Sequence, residues 1–338
     1  MSSRLTEPEH AQSVRRARRH AAAAALLESP PPLGALAVRC VSVDRTAVLH
    51  ASDSRPVVRW ELTVESESGR QSRLAVVGKG FLLGGGEQAW WLLRRLREVG
   101  FDDPALRVPQ PYGYDPARRL LAQEEAPPQT LYEMLRGDVP IATPTVRRVA
   151  RWLARLHAAP GVGLRELPTD FERSKLAEYG PALATALPGE ADRITELVDR
   201  TLGRLAEAGA DTPVVTHGDF QPKNVHLDPS RVVVIDFDRA ASAPAARDLG
   251  HFVGQIETMG AALHGDLGVA SSWVAAFLDE YVAGGGSPGA VQSTPGYVAR
   301  TFAEVLYYRV VVRPVPDASF VPTWLDAWER HLLAEAHA

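Results

Sequence analysis

The sequence is poor in cysteine and lysine, and it contains no long apolar run. Cys40 is the only cysteine among 338 residues, which excludes a disulfide framework, a cysteine-rich zinc site and an iron–sulfur cluster. No apolar run reaches the roughly 18 residues of a transmembrane helix. The net charge of -4 argues against a protein that coats nucleic acid or anionic lipid. We therefore expect a cytoplasmic protein without nucleic-acid or membrane partners.

The scarcity of lysine is informative because arginine is abundant. The 37 basic residues include only three lysines, Lys79, Lys175 and Lys223. Codon bias in a GC-rich genome explains the arginines. Lysine is a compact point charge whereas arginine is a planar fork, so a lysine that remains at a chemically demanding position calls for a functional explanation.

The N-terminal third predicts a small β-rich lobe. Glu7 to Glu28 is rich in alanine and arginine and predicts a surface helix. An export signal is disfavoured because its apolar run is short and a proline-rich turn follows at once. Three runs with alternating and β-branched residues then predict an antiparallel meander, followed by a helix and a short strand pair. The runs are Leu36–Leu49, Pro56–Ser66 and Ser72–Phe81, the helix is Glu87–Val99, and the pair lies within Gly113–Glu124.

The rest of the chain is mostly helical. One strand-like interruption stands at Pro213–Phe220 and Arg231–Phe237. We expect an α+β fold with a helical extension at residues 1–35, a β-rich lobe at 36–125 and a larger helical lobe at 126–338. The helix candidates are Leu131–Arg136, Thr145–Ala158, Phe171–Leu187, Glu190–Ala208, Ser271–Val282, Tyr297–Val312 and Thr323–Ala336.

The residues that carry chemistry lie between His217 and Asp248. An apolar strand delivers Asp236 at its end, and Asp219 and Asn224 lie on the loop before it. The oxygens of Asn224 and Asp236 suit Mg²⁺, which shares phosphate oxygens and keeps several waters. Asp219 can then orient and deprotonate an incoming hydroxyl.

This segment resembles the aminoglycoside phosphotransferase and choline kinase-like family of small-molecule kinases, which have the protein-kinase-like fold. The family motif of His-Gly-Asp, four residues and Asn, followed by Ile-Asp on a strand, is matched by His217–Asp219, Asn224 and Ile235–Asp236. The resemblance covers roughly residues 36–310. It implies that Asp219 is the catalytic base and that Asn224 and Asp236 bind Mg²⁺. Asp248 matches a later Asp-Leu pair and is expected to support the loop, as is His217.

The resemblance also predicts a nucleotide site for ATP or GTP in the β-rich lobe. Such a fold needs a lysine on the third strand and a glutamate on the next helix, and Lys79 and Glu87 occupy these places. Backbone groups of the hinge would bind the adenine edge. The hinge residues are Gln123, Glu124 and Ala126.

Some residues depart from the family or protein-kinase patterns. The loop His50–Pro56 contains no glycine, which disfavours a protein kinase more than a small-molecule kinase. Asp238 replaces the glycine of Asp-Phe-Gly and would touch a second Mg²⁺ or cap a turn. Lys223 has no role that the resemblance transfers.

The acceptor is the least determined part of the function. An antibiotic, a nucleoside, a sugar and an amino alcohol remain open. A cationic acceptor would need carboxylates in the C-terminal helices, although most such acids are solvated. The candidates are Glu257, Asp279, Glu280 and Glu304.

Two other classes of protein compete with a small-molecule O-kinase. A non-catalytic nucleotide-binding module that regulates or scaffolds is the main alternative, but Lys79, Asp219, Asn224 and Asp236 are all present. A metallohydrolase would need more clustered histidines.

Overall fold

The computed structural model of the protein describes residues 7–137, 143–160, 163–168, 170–207 and 212–334. The chain divides into two compact units. Unit 1 is formed within Met1–Asp103 and Arg107–Ala126, and unit 2 within Pro104–Leu106 and Pro127–Ala338. Among the described residues, no helix is both long and apolar enough to cross a membrane.

Unit 1 is built on a five-stranded antiparallel sheet in the order β1-β2-β3-β6-β5. The predicted meander is confirmed, because β2 pairs with both β1 and β3. The predicted helix and the later strand pair are also present. The elements are α1 (Glu7–Leu26), β1 (Val38–His50), β2 (Val57–Ser66), β3 (Gln71–Gly80), α2 (Gly86–Leu96), β5 (Pro111–Asp115) and β6 (Leu120–Glu124). The short strand that precedes β5 in the chain, β4 (Leu106–Arg107), begins in unit 2.

Alternation along β2 creates the core of unit 1. Val58, Trp60 and Leu62 are fully buried on one face of the strand, as a period of two residues requires. Ala23 and Leu26, in the last turns of α1, pack into this same cluster. The end of α1 is therefore part of the core, whereas the sequence suggested a surface helix.

Unit 2 is mainly helical and contains two small sheets. One has the order β4-β10-β9-β7 and the other pairs β11 with β8. Its helices are α3 (Leu131–Arg136), α4 (Thr143–His157), α5 (Phe171–Ala186), α6 (Ala191–Glu207), α7 (Ala246–His264), α8 (Ser271–Ala283), α9 (Pro288–Tyr307) and α10 (Val321–Leu333). Its further strands are β7 (Gln129–Thr130), β8 (Val214–Thr216), β9 (Val225–Leu227), β10 (Val232–Val234) and β11 (Ala241–Ala243).

Most predicted helices of unit 2 are confirmed, but α7 was missed. Its glycines lower helix propensity and concealed it. They are explained by packing: a Cβ at Gly250 would come within 2.3 Å of Tyr297, and one at Gly254 within 2.8 Å of Thr301. Both contacts are with α9, so small residues allow the two helices to approach closely.

The start of α9 differs from the prediction. α9 begins at Pro288 rather than Tyr297, because Pro295 is tolerated inside it, and a π-helical turn follows at Tyr308–Val312. The predicted ends at Ala208 and Ala336 lie outside the described residues.

Candidate active site

The candidate site of unit 2 is built on the loop between β8 and β9. Gly218 has φ +79°, a region that residues other than glycine rarely adopt. A Cβ at this position would lie 2.0 Å from the carbonyl oxygen of Arg239. Glycine is therefore required for this turn, which presents Asp219 next in the chain.

Asp248, in the first turn of α7, holds the backbone of this loop. Its carboxylate accepts hydrogen bonds from the amides of His217 at 2.6 Å and Gly218 at 2.8 Å, and His157 Nε2 lies 3.3 Å away. Asp248 is completely buried. Burial raises its pKa, but the hydrogen bond and charge of His157 and the charge of Arg247 outweigh burial and lower it. The loop thus depends on a buried ionised carboxylate.

The carboxylate of Asp219 is held by three side chains. His251 Nε2 and Gln221 Nε2 each lie 3.0 Å from Oδ1, and Asn224 Nδ2 donates to Oδ2 at 3.3 Å. Burial acts to raise the pKa of Asp219, but the hydrogen bond and charge of His251, with the charge of Arg239, hold it well below its usual range. Asp219 is therefore ionised at neutral pH.

Asn224 and Asp236 are brought together by the start of the β9–β10 pair. The amide of Ile235 donates to the carbonyl of Asn224 at 3.0 Å, so Asp236 follows directly beside it. Asp236 has φ +72°, an uncommon backbone conformation for a residue with a side chain. The side-chain nitrogen Nδ2 of Asn224 also donates to the backbone carbonyl of Asp219 at 2.9 Å. The side-chain oxygen of Asn224 is therefore directed away from Asp219.

This donor set fits a hard divalent cation that is shared with a phosphate. Two oxygen donors from protein, with the rest from phosphate and water, are typical of Mg²⁺. Within the described residues, no group of three or more His, Cys, Asp or Glu side chains is arranged to hold a metal alone. A cation at Asn224 and Asp236 would therefore need ligands from nucleotide and solvent.

The environments of His217, Asp238 and Lys223 in unit 2 differ. The His217 ring donates from Nε2 to the carbonyl of Ile235 at 2.9 Å and accepts at Nδ1 from the amide of Asp219 at 3.2 Å, which is a bracing role. Asp238 is exposed. Lys223 is exposed, with its Nζ 4.9 Å from the centroid of Tyr132.

In unit 1, strand register places Lys79. The residue pairs with Val57 on β2 and Leu121 on β6, and its Nζ lies 5.4 Å from the centroid of the Phe81 ring. The flanking glycines are explained by packing, since a Cβ at Gly78 would lie 2.3 Å from the buried Trp60 ring.

Glu87 is exposed in the first turn of α2. Its carboxylate makes no hydrogen bond or ion pair within the described part of the chain. The role of Glu87 as the partner of Lys79 stays a prediction. Its position still suits an acid at a helix N-terminus.

The structure also restricts the predicted hinge. Gln123 lies inside the sheet, in register with Val77 and Pro111. The amide of Glu124 donates to the carbonyl of Gln110 at 2.8 Å. The Glu124 carboxylate accepts from Arg107 at 2.8 Å. Gln123 and Glu124 therefore already have pairing or hydrogen-bond partners within unit 1. Ala126 follows β6 and makes no backbone hydrogen bond within the described residues.

The four acids considered for acceptor binding do not form one cluster. Glu280 pairs with Arg147 and Arg151 of α4, at 3.6 and 2.6 Å. Glu257 and Asp279 line a cavity of about 610 Å³ between α7, α8 and α9. Within this group only Glu304 approaches Asp219, through His251.

Sequence reasoning missed the side chains that surround Glu304. The predicted site residues include none of His251, Arg300, Glu172 and Arg247. One signal was available: His251 follows Asp248 by three residues, which is one helical turn. The signal was lost because α7 was not recognised as a helix.

Comparisons with known proteins identify the family. The family model described as APH, Phosphotransferase enzyme family, matches residues 87–293, more than half of the chain. That range includes the Asp219 loop and begins after Lys79. No curated protein matches the chain.

Solved structures of similar fold cover most of the chain at low identity. A choline/ethanolamine kinase family protein from Mesorhizobium loti is 14% identical, with a TM-score of 0.56 over 81% of this chain and 85% of that one. A putative fructosamine-3-kinase from Thermobifida fusca YX-ER1 is 22% identical, with a TM-score of 0.52 over 87% and 95%. Spectinomycin phosphotransferase APH(9)-Ia, solved with ADP and spectinomycin, is 13% identical, with a TM-score of 0.55 over 87% and 94%. These similarities confirm the α+β, protein-kinase-like fold. The chain belongs to the phosphotransferase enzyme family, and it is a kinase.

Proposed function

We propose that the protein transfers the γ-phosphoryl group of ATP to a hydroxyl group of a small molecule. The observation that carries this proposal is the Asp219 carboxylate, which is ionised and hydrogen-bonded by the side chains of His251, Gln221 and Asn224. The fold and family independently support phosphoryl transfer.

In the proposed reaction, the acceptor oxygen forms a bond to the γ-phosphorus while the bond from phosphorus to the β,γ-bridging oxygen breaks. ADP leaves, and the acceptor proton passes to Asp219. A carboxylate with a strongly lowered pKa is a weak base, so its larger contribution is to orient the hydroxyl before the proton moves. This agrees with phosphoryl transfer, in which positioning and electrostatics dominate.

The other residues bind and orient the nucleotide. Asn224 and Asp236 would hold Mg²⁺, which neutralises charge on the phosphate oxygens when it is bound. Lys79 would pair with the α- and β-phosphates as a point charge. The backbone of Ala126, which makes no backbone hydrogen bond within the described residues, would meet the adenine edge. ATP is the preferred donor in this proposal because a similar fold was solved with ADP; GTP is the alternative.

The acceptor remains within a broad class of hydroxylated small molecules. The similar folds include proteins named for spectinomycin, choline or ethanolamine, and fructosamine. An antibiotic acceptor would make the protein a resistance enzyme, whereas a metabolite would give it a biosynthetic or catabolic role.

A substrate screen tests this proposal. Purified protein is incubated with ATP or GTP, Mg²⁺ and aminoglycosides, macrolides, nucleosides, sugars or choline, and products are identified by mass spectrometry. We expect one acceptor class to gain a phosphoryl group, with equimolar ADP or GDP and no reaction when Mg²⁺ is omitted. Nucleotide binding without transfer to any acceptor would instead support a non-catalytic regulatory or scaffold protein.

A further inference from the structure

His251 connects the proposed catalytic aspartate to a second helix. It lies one turn after Asp248 on α7, and its side chain is only 7% exposed. Asp248 therefore binds the backbone of the loop, while His251 contacts the side-chain carboxylate of Asp219 on the same loop. Nε2 of His251 lies 3.0 Å from Asp219 Oδ1, and Nδ1 lies 3.6 Å from Glu304 Oε2 on α9.

The two ring nitrogens of His251 both face carboxylates. An ionised carboxylate can only accept hydrogen bonds, so Nε2 is the donor in the 3.0 Å contact with Asp219. His251 therefore links Asp219 on one side to Glu304 on the other.

Glu304 is itself anchored by a chain of buried charges. Its carboxylate pairs with Arg300, which donates from Nε to Glu172 at 2.7 Å. Glu172 also accepts from Arg247 Nε at 2.9 Å, and Arg247 Nη1 donates to the carbonyl of Gly218 at 3.2 Å. The chain of contacts begins at the Asp219 side chain and returns to the backbone one residue earlier.

This arrangement distinguishes the two oxygens of Asp219. Oδ1 is occupied by His251 and Gln221, each at 3.0 Å. Oδ2 carries only the longer 3.3 Å bond from Asn224 among the described residues. The constraint on Oδ1 therefore leaves Oδ2 to accept a hydrogen bond from an acceptor hydroxyl.

We propose that His251 is the positioning residue of Asp219, acting through its Nε2–H to fix which carboxylate oxygen receives the acceptor hydroxyl. Glu304 orients the ring from the opposite side and is thus a support for the loop rather than an acceptor-binding acid. The inference rests on the proposed function, because it assigns a role to the same aspartate.

Two amide substitutions separate the two contacts of the ring. The nitrogen of glutamine reaches about as far as Nε2, so His251→Gln retains a donor to Asp219. His251→Asn is shorter, so it retains only a donor on the Glu304 side. We expect kcat to fall less than about 10-fold in His251→Gln and about 100-fold in His251→Asn, as misplacement of a reacting group does. KM for ATP should change less than about 3-fold in both, because the ring acts on the acceptor side.

The matched control is His331→Gln. His331 also bridges α7 to another helix through a carboxylate, with Nε2 2.8 Å from Glu257 Oε2, and we expect wild-type kcat. Melting temperatures are measured for all variants, and His251→Gln and His251→Asn are compared below the lower midpoint.

Equal kcat values in His251→Gln and His251→Asn would overturn the positioning role while leaving the phosphotransferase intact. A loss of kcat that follows the melting temperature, including the loss of both variants by unfolding, would assign His251 to stability and also overturn it. A wild-type protein that phosphorylates no acceptor would overturn the proposed function itself.

Discussion

The two units hold their candidate site residues in different ways. In unit 2, Asp219 is bound by three side chains and its loop is tied to the buried carboxylate of Asp248. In unit 1, Lys79 is placed by strand register, and Glu87 is exposed and unpaired within the described residues. The difference indicates that loop substitutions should reduce both stability and turnover, whereas substitutions in unit 1 should change nucleotide binding alone.

Among the variants that compare the two units, Asp248→Asn is expected to have the largest effect. The amide group would place a donor against the His217 or Gly218 amide, which are donors already. Breaking a buried charged contact of this kind costs about 3 kcal/mol. We expect the free energy of unfolding, measured with urea, to fall by about that amount, and kcat to fall with it.

Asp326→Asn is the matched control. Asp326 pairs with Arg193 at 2.6 Å, but its side chain is 64% exposed, and such pairs contribute less than about 1 kcal/mol. If both variants lost the same stability, the distinction between a buried anchor and a surface ion pair would be wrong.

Lys79→Arg is expected to have an intermediate effect, confined to the affinity for the nucleotide. A planar fork cannot replace a point charge among the phosphates, so we expect Kd for ATP to rise about 10-fold, equivalent to about 1.4 kcal/mol. The melting temperature should stay unchanged. Calorimetric titration with ATP measures the first quantity.

Lys175→Arg provides the control for this substitution. Lys175 is partly exposed and pairs with Glu178 one turn away at 3.0 Å. Its replacement should leave the affinity for ATP unchanged. If Lys79→Arg bound ATP as tightly as wild type, the phosphate role of Lys79 would be removed.

Glu87→Gln should have the smallest effect. The carboxylate has no ion pair to lose within the described residues, so only its interaction with the helix N-terminus disappears, at about 0.5 kcal/mol. We expect Kd for ATP to change less than about twofold, as measured by the same titration. A 10-fold loss of affinity for ATP would show that Glu87 acts on Lys79. Both units would then hold their site residues through side-chain contacts.

The local features of both units were predictable from sequence. The sequence from His217 to Asp236 predicted an apolar strand with Asp236 at its end and a loop before it that carries Asp219 and Asn224, and both elements are present. Alternation predicted β2 equally well, since each second residue must be buried.

The remote contacts were not predictable in the same way. The glycines of α7 lower helix propensity and concealed the helix that carries His251. Glu172 meets Arg247 and Arg300 from positions 75 and 128 residues away, and no local pattern determines such partners. For the same reason, the acids proposed for acceptor binding could not be sorted into paired and available ones before the tertiary contacts were known.

The central claim is that Asp219 orients and deprotonates the acceptor hydroxyl in unit 2. The direct measurement compares single-turnover phosphoryl transfer by wild type and Asp219→Asn at saturating ATP, with the acceptor identified in the substrate screen. We expect the rate to fall about 1,000-fold, within the range for loss of a general base, while Kd for ATP changes less than about threefold. An Asp219→Asn rate within about 10-fold of wild type would contradict the claim.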